Sequence, residues 1–254
     1  MDLGLSDKTV LVTGATGGIG EAIARAYAAE GARVAVTYHL QAGEADRLAD
    51  ELGGRRGRAF AVRYALSDPD SHAAALAAVA DRWGHGPDVL VANAVRWGSR
   101  PPRATAFPDV PGEEWSAFVV DNLSQTIRTV QVAVPAMQKR GWGRIVLLSS
   151  HLSRDGGHGM EFYGAVKAGL EGFARSLAWD VGTDGVLVNV VRPGVTLTGR
   201  VRARLPEEAR AAEVSRTPSG RLSDPEDVAG AVLFLGSAAN RNITGEVLTV
   251  SGGR

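Results

Sequence analysis

Short apolar runs alternate with amphipathic stretches along the whole 254-residue chain. Seven runs have strand length: TVLVT (9–13), RVAVTY (33–38), RAFAVRY (58–64), DVLVAN (88–93), RIVLLS (144–149), VLVNVV (186–191) and EVLTV (246–250). Most are apolar at consecutive positions, as in strands covered on both faces. Between them lie stretches of helical period. Residues 19–30 stop at Gly31, which suits a helix C-terminus. AGEADRLADEL (42–52) is a second helix, and Asp68 with Pro69 opens a third, running to about residue 83. A long helix spans 113 to about 140, another carries residues 161–183, and Asp224 with Pro225 caps the last. This alternation predicts βαβ units: an α/β fold, doubly wound, with a seven-stranded parallel sheet and helices on both faces. Neither a linker nor a solenoid repeat interrupts the pattern, so residues 1–254 are expected to form a single domain.

Three stretches fall outside the alternation. Residues 95–112 have no period and hold prolines at 101, 102, 108 and 111, and loops of that length are often functional. Residues 151–160 form a second loop, and the polar, arginine-rich stretch 195–220 is expected to be a mobile lid. Hydrophobic content of 44% and charged content of 22% are those of an ordinary globular protein. The 28 basic and 28 acidic residues cancel, so the footprint of nucleic-acid binding is missing. No run approaches the roughly 20 apolar residues that span a bilayer, and the N-terminus lacks a signal-peptide pattern. Without cysteine there are no disulfides, thiolate metal ligands or thiol nucleophiles, which fits a cytoplasmic setting. No metal site, nucleic-acid partner or membrane contact is expected.

Two motifs carry chemistry. In TGATGGIG (13–20), Gly14, Gly18 and Gly20 lie between the first strand and the first helix. Glycine there permits positive φ and lets backbone approach a pyrophosphate, whose charge a helix N-terminus attracts. In EFYGAVKAGLEGF, Tyr163 and Lys167 are spaced to share one helical face, and a cation beside a phenol favours phenolate. Hydride arriving at a carbonyl carbon leaves charge on oxygen, which needs donors and then a proton. Tyr163 can supply the proton, Lys167 can ease its release and reach a ribose hydroxyl, and Ser150 can donate to the carbonyl oxygen. His151 and His158 flank this region, but no GxSxG turn surrounds Ser150, so a Ser–His nucleophile is not inferred.

With these motifs in order, the chain resembles the short-chain dehydrogenase/reductase family over essentially its whole length. TGATGGIG matches the cofactor turn, Tyr163 and Lys167 the YxxxK motif, Ser150 the catalytic serine and Asn122 the fourth active-site residue. RPGVTLT (192–198) resembles the PGxxxT segment that closes over the nicotinamide. The resemblance implies a Rossmann-type fold and a cofactor site at Gly14, Thr16, Gly17, Gly18, Ile19, Gly20, Tyr38, His39, Asn93, Ala94, Pro193, Gly194, Val195 and Thr198, with Tyr163 and Lys167. It also implies that the Asn122 carbonyl region holds a water leading from Lys167 to solvent. The acid that NAD-specific relatives place at the end of the second strand is Tyr38 here, followed by His39, which favours NADP(H) and keeps NAD(H) as the alternative. Gly17 stands where many NADP-dependent relatives have a basic residue, leaving Thr37, His39 and Arg63 as candidates for the 2′-phosphate. Ala65 replaces the usual Asp beside the adenine, and the NNAG motif reads ANAV, with Val95 for the glycine.

The resemblance is nearest to β-ketoacyl-carrier-protein reductases and polyketide ketoreductases. It implies an NADPH-dependent ketoreductase of a small, apolar, aromatic or polyketide-like ketone. The alternatives are a carrier-bound β-ketoacyl reductase, an alcohol dehydrogenase running oxidatively and a non-catalytic nucleotide sensor. The carrier-docking arginines of relatives correspond to Gly141 and Asp184, which leans the reading towards a free ketone. Trp97, His151, Met160, Phe162 and Val195, with Phe107, border the expected substrate pocket, although packing roles are equally open to them. Relatives pair their two long helices, implying a homotetramer or homodimer. Small residues at Ala165, Ala168, Gly169 and Gly172 would allow that approach, or equally packing on the sheet.

Overall fold

The seven apolar runs pair side by side as one parallel sheet. In the computed structural model, which describes residues 2–97 and 105–254, the strands are β1 (Thr9–Val12), β2 (Arg33–Tyr38), β3 (Ala59–Arg63), β4 (Val89–Ala92), β5 (Gly143–Leu148), β6 (Val186–Pro193) and β7 (Val247–Val250). Their order is β3-β2-β1-β4-β5-β6-β7. The α-helices are α1 (Ile19–Ala29), α2 (Ala42–Glu51), α3 (Pro69–Trp83), α4 (Gly112–Val119), α5 (Gln125–Arg140), α6 (Leu152–Asp155), α7 (Glu161–Val181), α8 (Gly199–Arg204), α9 (Glu207–Ser215) and α10 (Pro225–Leu235).

Successive strand residues point to opposite faces, and here both faces are dry. Val10, Val12, Val34 and Val36 pack with Ile23, Tyr27, Leu48 and Val232, from α1, α2 and α10. Leu11, Ala35, Leu90 and Ile145 pack with Leu76, Val130, Met137 and Leu170, from α3, α5 and α7. Two cores on one sheet explain why the strands read as continuous apolar runs. The sheet changes its direction of growth between β1 and β4, and open α/β sheets bind ligands in the crevice at such a point.

Four local expectations change. The helix expected over 113–140 is broken into α4 and α5 by a π-helical turn at Val120–Ser124. The expected lid contains two short helices, α8 and α9. Asp68 makes no side-chain cap, because its carboxylate pairs with Arg63 at 2.6 Å. On α7, Ala165, Ala168 and Gly172 are exposed, so they do not pack on the sheet, whereas Gly169 lies against Leu123. Asp224 does cap α10, in a capping box with Asp227. Of the 95–112 loop, residues 98–104 lie outside the described residues.

Candidate active site

The glycine turn is tied to three strand ends. Thr13 Oγ1 accepts the N–H groups of Asn93 and Ala94 at 2.9 and 3.0 Å. Asn93 Nδ2 donates to the carbonyls of Thr13 and Gly14, both at 3.0 Å. Thr37 Oγ1 accepts the Gly14 N–H at 2.9 Å. Gly14 and Gly18 adopt φ of 64° and 56°, and a Cβ on Gly20 would stand 2.1 Å from the Gly14 carbonyl oxygen. No side chain caps α1; the Gly20 N–H donates to the Gly17 carbonyl at 3.2 Å, and the positive end of the helix dipole faces the turn, where it attracts an anion. Beside the turn runs a cleft of about 420 Å³, lined by Gly14, Thr16, Tyr38, His39, Ala94 and Val95 among others. This bare helix terminus, the side-chain-free cradle and the cleft together fit a dinucleotide.

Ser150, Tyr163 and Lys167 form the buried floor beyond the turn, at 8%, 9% and 4% exposure. Ser150 Oγ accepts the Leu152 N–H at a long 3.3 Å, which leaves its own proton to donate. Lys167 Nζ lies 5.7 Å from the centre of the Tyr163 ring and donates to the Leu148 carbonyl at 2.6 Å. Burial lowers the Lys167 pKa to about 8. One further turn along α7, Glu171 accepts the Ser149 and Ser153 hydroxyls at 2.7 and 2.6 Å and a two-pronged contact from Arg192 at 2.6 and 3.0 Å. Burial alone would raise the pKa of Glu171, but Arg192 and the two hydroxyls outweigh it and hold the carboxyl below its ordinary range.

Asn122 sits inside the π-turn with its amide fully engaged. Its Oδ1 accepts the Arg96 N–H at 2.7 Å, and its Nδ2 donates to the carbonyls of Phe118 and Arg96 at 3.0 and 3.2 Å. The Thr126 hydroxyl donates to the Asn122 carbonyl at 2.9 Å. Asn122 thus fixes the chain leaving β4 to the helix opposite the floor.

The rim is aromatic. Trp97 stacks on Tyr163 with ring centres 4.9 Å apart, and the Arg200 guanidinium lies 5.5 Å from the Trp97 ring centre. Phe162 instead stacks on Trp115 and Phe107, at 5.7 and 6.0 Å. Met160, Val95 and Leu152 pack around Tyr163 and Phe118. Thr198 caps α8, accepting the Val201 N–H at 3.2 Å, and its methyl would be 3.0 Å from a Cβ on Gly18, so the lid root rests on the glycine turn. His151 donates its backbone N–H to Pro193 at 2.9 Å. Its ring borders Gly194, Val195 and Glu213 around a cavity of about 10 Å³, Nδ1 has no partner among the described residues, and burial lowers its pKa. Among the described residues no group of three or more His, Asp or Glu is placed to hold a metal.

Residues 14–254 match the family model described as Enoyl-(Acyl carrier protein) reductase. The chain is 39% identical to the 3-oxoacyl-(acyl-carrier-protein) reductase FabG of Vibrio cholerae, covering 99% of this chain and 98% of that protein. It is also 39% identical to the L-rhamnose 1-dehydrogenase (NAD(P)(+)) of Azotobacter vinelandii, covering 98% and 97%. A solved 7α-hydroxysteroid dehydrogenase, complexed with NADH and 7-oxo glycochenodeoxycholic acid, superposes with a TM-score of 0.90 at 32% identity, over 99% of this chain and 96% of that one. This chain belongs to the short-chain dehydrogenase/reductase family. It is an oxidoreductase of the CH–OH/C=O class, in a family that binds NAD(P).

Set against this short-chain dehydrogenase/reductase frame, several expected residues move. Thr37 is fully buried, and its hydroxyl is taken up by Gly14. Arg63 is paired with Asp68 and does not border the cleft. His39 alone of the three 2′-phosphate candidates is exposed at the cleft with no partner shown among the described residues. Ala65 has its N–H on Ser71 Oγ at 2.9 Å and its carbonyl against His72 Nε2 at 3.0 Å, so it presents only a methyl group. Gly141 and Asp184 precede β5 and β6, at the sheet edge opposite Ser150. Sequence reasoning missed Glu171, Arg192 and Arg200. Glu171 had a signal: it lies eight residues from Tyr163 and four from Lys167, a carboxylate on the same buried helical face.

Proposed function

We propose that this chain is an NADPH-dependent ketoreductase for a small, apolar, polyketide-like or aromatic ketone, with Tyr163 as proton donor. The observation that carries the reading is the buried Tyr163, with Lys167 Nζ 5.7 Å from its ring centre and Val95, a residue of the glycine-turn cleft, packed in its cluster, while Ser150 is buried just past the end of β5. The bound nicotinamide supplies the hydride to the carbonyl carbon. Ser150, with its proton free, hydrogen-bonds the carbonyl oxygen. Tyr163 gives that oxygen its proton, and Lys167 favours the resulting phenolate. By the family resemblance, the Asn122 carbonyl region would hold a water through which Lys167 recovers a proton from solvent. At the end of β2, Tyr38 and His39 present no carboxylate to repel a 2′-phosphate, which supports NADPH over NADH. An intact set of four residues argues against a non-catalytic sensor. The same residues would serve the oxidative direction.

A carrier-bound β-ketoacyl substrate is the second reading. It is favoured by the 39% identity to the 3-oxoacyl-(acyl-carrier-protein) reductase. The exposed stripe of Ala165, Ala168 and Gly172 supports pairing of α7 between copies in a homodimer or homotetramer. The test is a panel of cyclic and aromatic ketones and a 3-oxoacyl thioester, each with NADPH and NADH, followed by the absorbance of the reduced nicotinamide. Consumption of NADPH with a free ketone supports the first reading. Consumption with the thioester alone supports the second, and consumption with neither, despite tight NADPH binding, would sink both.

A further inference from the structure

We infer that Arg200 reads a carboxylate carried at one end of the otherwise apolar ketone substrate. The inference rests on the proposed ketone site, because Arg200 reaches it through Trp97. Trp97 is stacked on Tyr163, and the Arg200 guanidinium lies over that same indole. Arg200 therefore stands one aromatic ring away from the proposed proton donor.

Several carboxylates already carry a guanidinium. Asp121 pairs with Arg96, Asp155 with Arg154, Asp224 with Arg202 and Asp227 with Arg221. Each of these carboxylates has its own guanidinium, while Arg200 has no carboxylate partner among the described residues. It is exposed in the first turn of α8. The root of that helix is held in place: Arg202 donates to the Leu197 carbonyl at 3.0 Å and to Asp224 at 2.7 Å, and Thr198 caps its N-terminus. A cation held by a fixed helix against an indole is preorganised for an incoming anion. The ring contact leaves the guanidinium N–H groups able to donate, so a carboxylate can be bound at the guanidinium edge while its face stays on the indole.

The test compares 4-oxo-4-phenylbutanoate with its methyl ester, two ketones that differ in one charge. Calorimetry on the NADPH-loaded protein measures the binding of each, and turnover is followed in parallel. The acid is expected to bind about tenfold more tightly than the ester, equivalent to one charged contact. Arg200→Gln is expected to erase that ratio through the affinity and KM of the acid, Arg200→Lys to keep part of it, and added salt to shrink it. Equal binding of acid and ester by the unmodified protein overturns the inference, as does an unchanged ratio in Arg200→Gln. Loss of NADPH affinity in Arg200→Gln with the acid preference intact also overturns it, by assigning Arg200 to the cofactor. Charge-selective binding without turnover would leave Arg200 in its role and count against the free-ketone reading alone, which the ketone panel then decides.

Discussion

Glu171, on the floor of the site, accepts four hydrogen bonds of 2.6–3.0 Å, while Arg200, on the rim, touches one indole ring and no carboxylate among the described residues. The floor belongs to β5, β6 and α7, elements locked by the sheet, and the polar groups around Glu171 are mutually satisfied. The rim belongs to the chain after β4, the start of α7 and the short helix α8, where aromatic faces meet without directional bonds. A satisfied buried network is expensive to alter and fixes atoms to a fraction of an ångström. Stacked side chains at a partly open edge can be exchanged at little cost. Chemistry on the floor and selectivity on the rim follow from that difference.

The sharpest way to break the contrast is at the floor. Glu171→Ala leaves Arg192 buried without a counter-charge and is expected to cost about 3–5 kcal/mol of stability, read from the urea midpoint. The deficit should also depend on pH. Because the folded carboxyl titrates below its ordinary range, its contribution is complete above the unfolded value of about 4.3 and disappears as pH falls through the folded value. A deficit that does not narrow in acid would show that the pair is not what holds the floor.

Lys167 is expected to behave in the opposite sense. Its folded pKa of about 8 lies below the ordinary 10.5, so its buried charge opposes folding in full below pH 8, and the opposition fades as pH rises to 10.5. Lys167→Met should therefore abolish turnover while raising stability at neutral pH by on the order of 1–3 kcal/mol, less the lost contact to Leu148. The gain should shrink towards alkaline pH, and a loss of stability at neutral pH would contradict the assignment.

At the cleft, a Cβ on Gly17 meets open space and the residue needs no positive φ, so Gly17→Arg is expected to fold normally. It should raise the preference for NADPH over NADH by about tenfold, the size of one charged contact, measured as the ratio of kcat/KM values. The smallest effect belongs to the rim. Phe107, 63% exposed, touches Phe162 at a single stack, so Phe107→Ala should change stability by less than about 1 kcal/mol.

The regular parts of the molecule were legible because their causes are local or periodic. Valines and leucines at consecutive positions read as strands with two dry faces, and both cores bear this out at Val10, Leu11 and Val12. The glycine turn was visible because Gly18 and Gly20 follow a strand and open a helix. The π-turn at Asn122 was not, since its cause is tertiary: the Asn122 amide reaches Arg96, 26 residues away, and apolar period carries no trace of that contact. Thr37 and Arg63 were misjudged for a similar reason. Their partners, Gly14 and Asp68, decide whether a side chain is free to meet a phosphate, and pairing is not written in residue type. Phe162 adjoins Tyr163 in sequence, yet it stacks with Trp115 and Phe107 because neighbouring positions on a helix point about 100° apart.

The most direct measurement is Tyr163→Phe, a change of one hydroxyl on a ring held by Trp97. NADPH affinity, followed by calorimetry, should be unchanged, while reduction of the best ketone in the panel should fall by at least about a hundredfold at every pH. Turnover close to that of the unmodified protein, with NADPH bound, would contradict the account, because the proton would then come from somewhere other than the phenol beside Lys167.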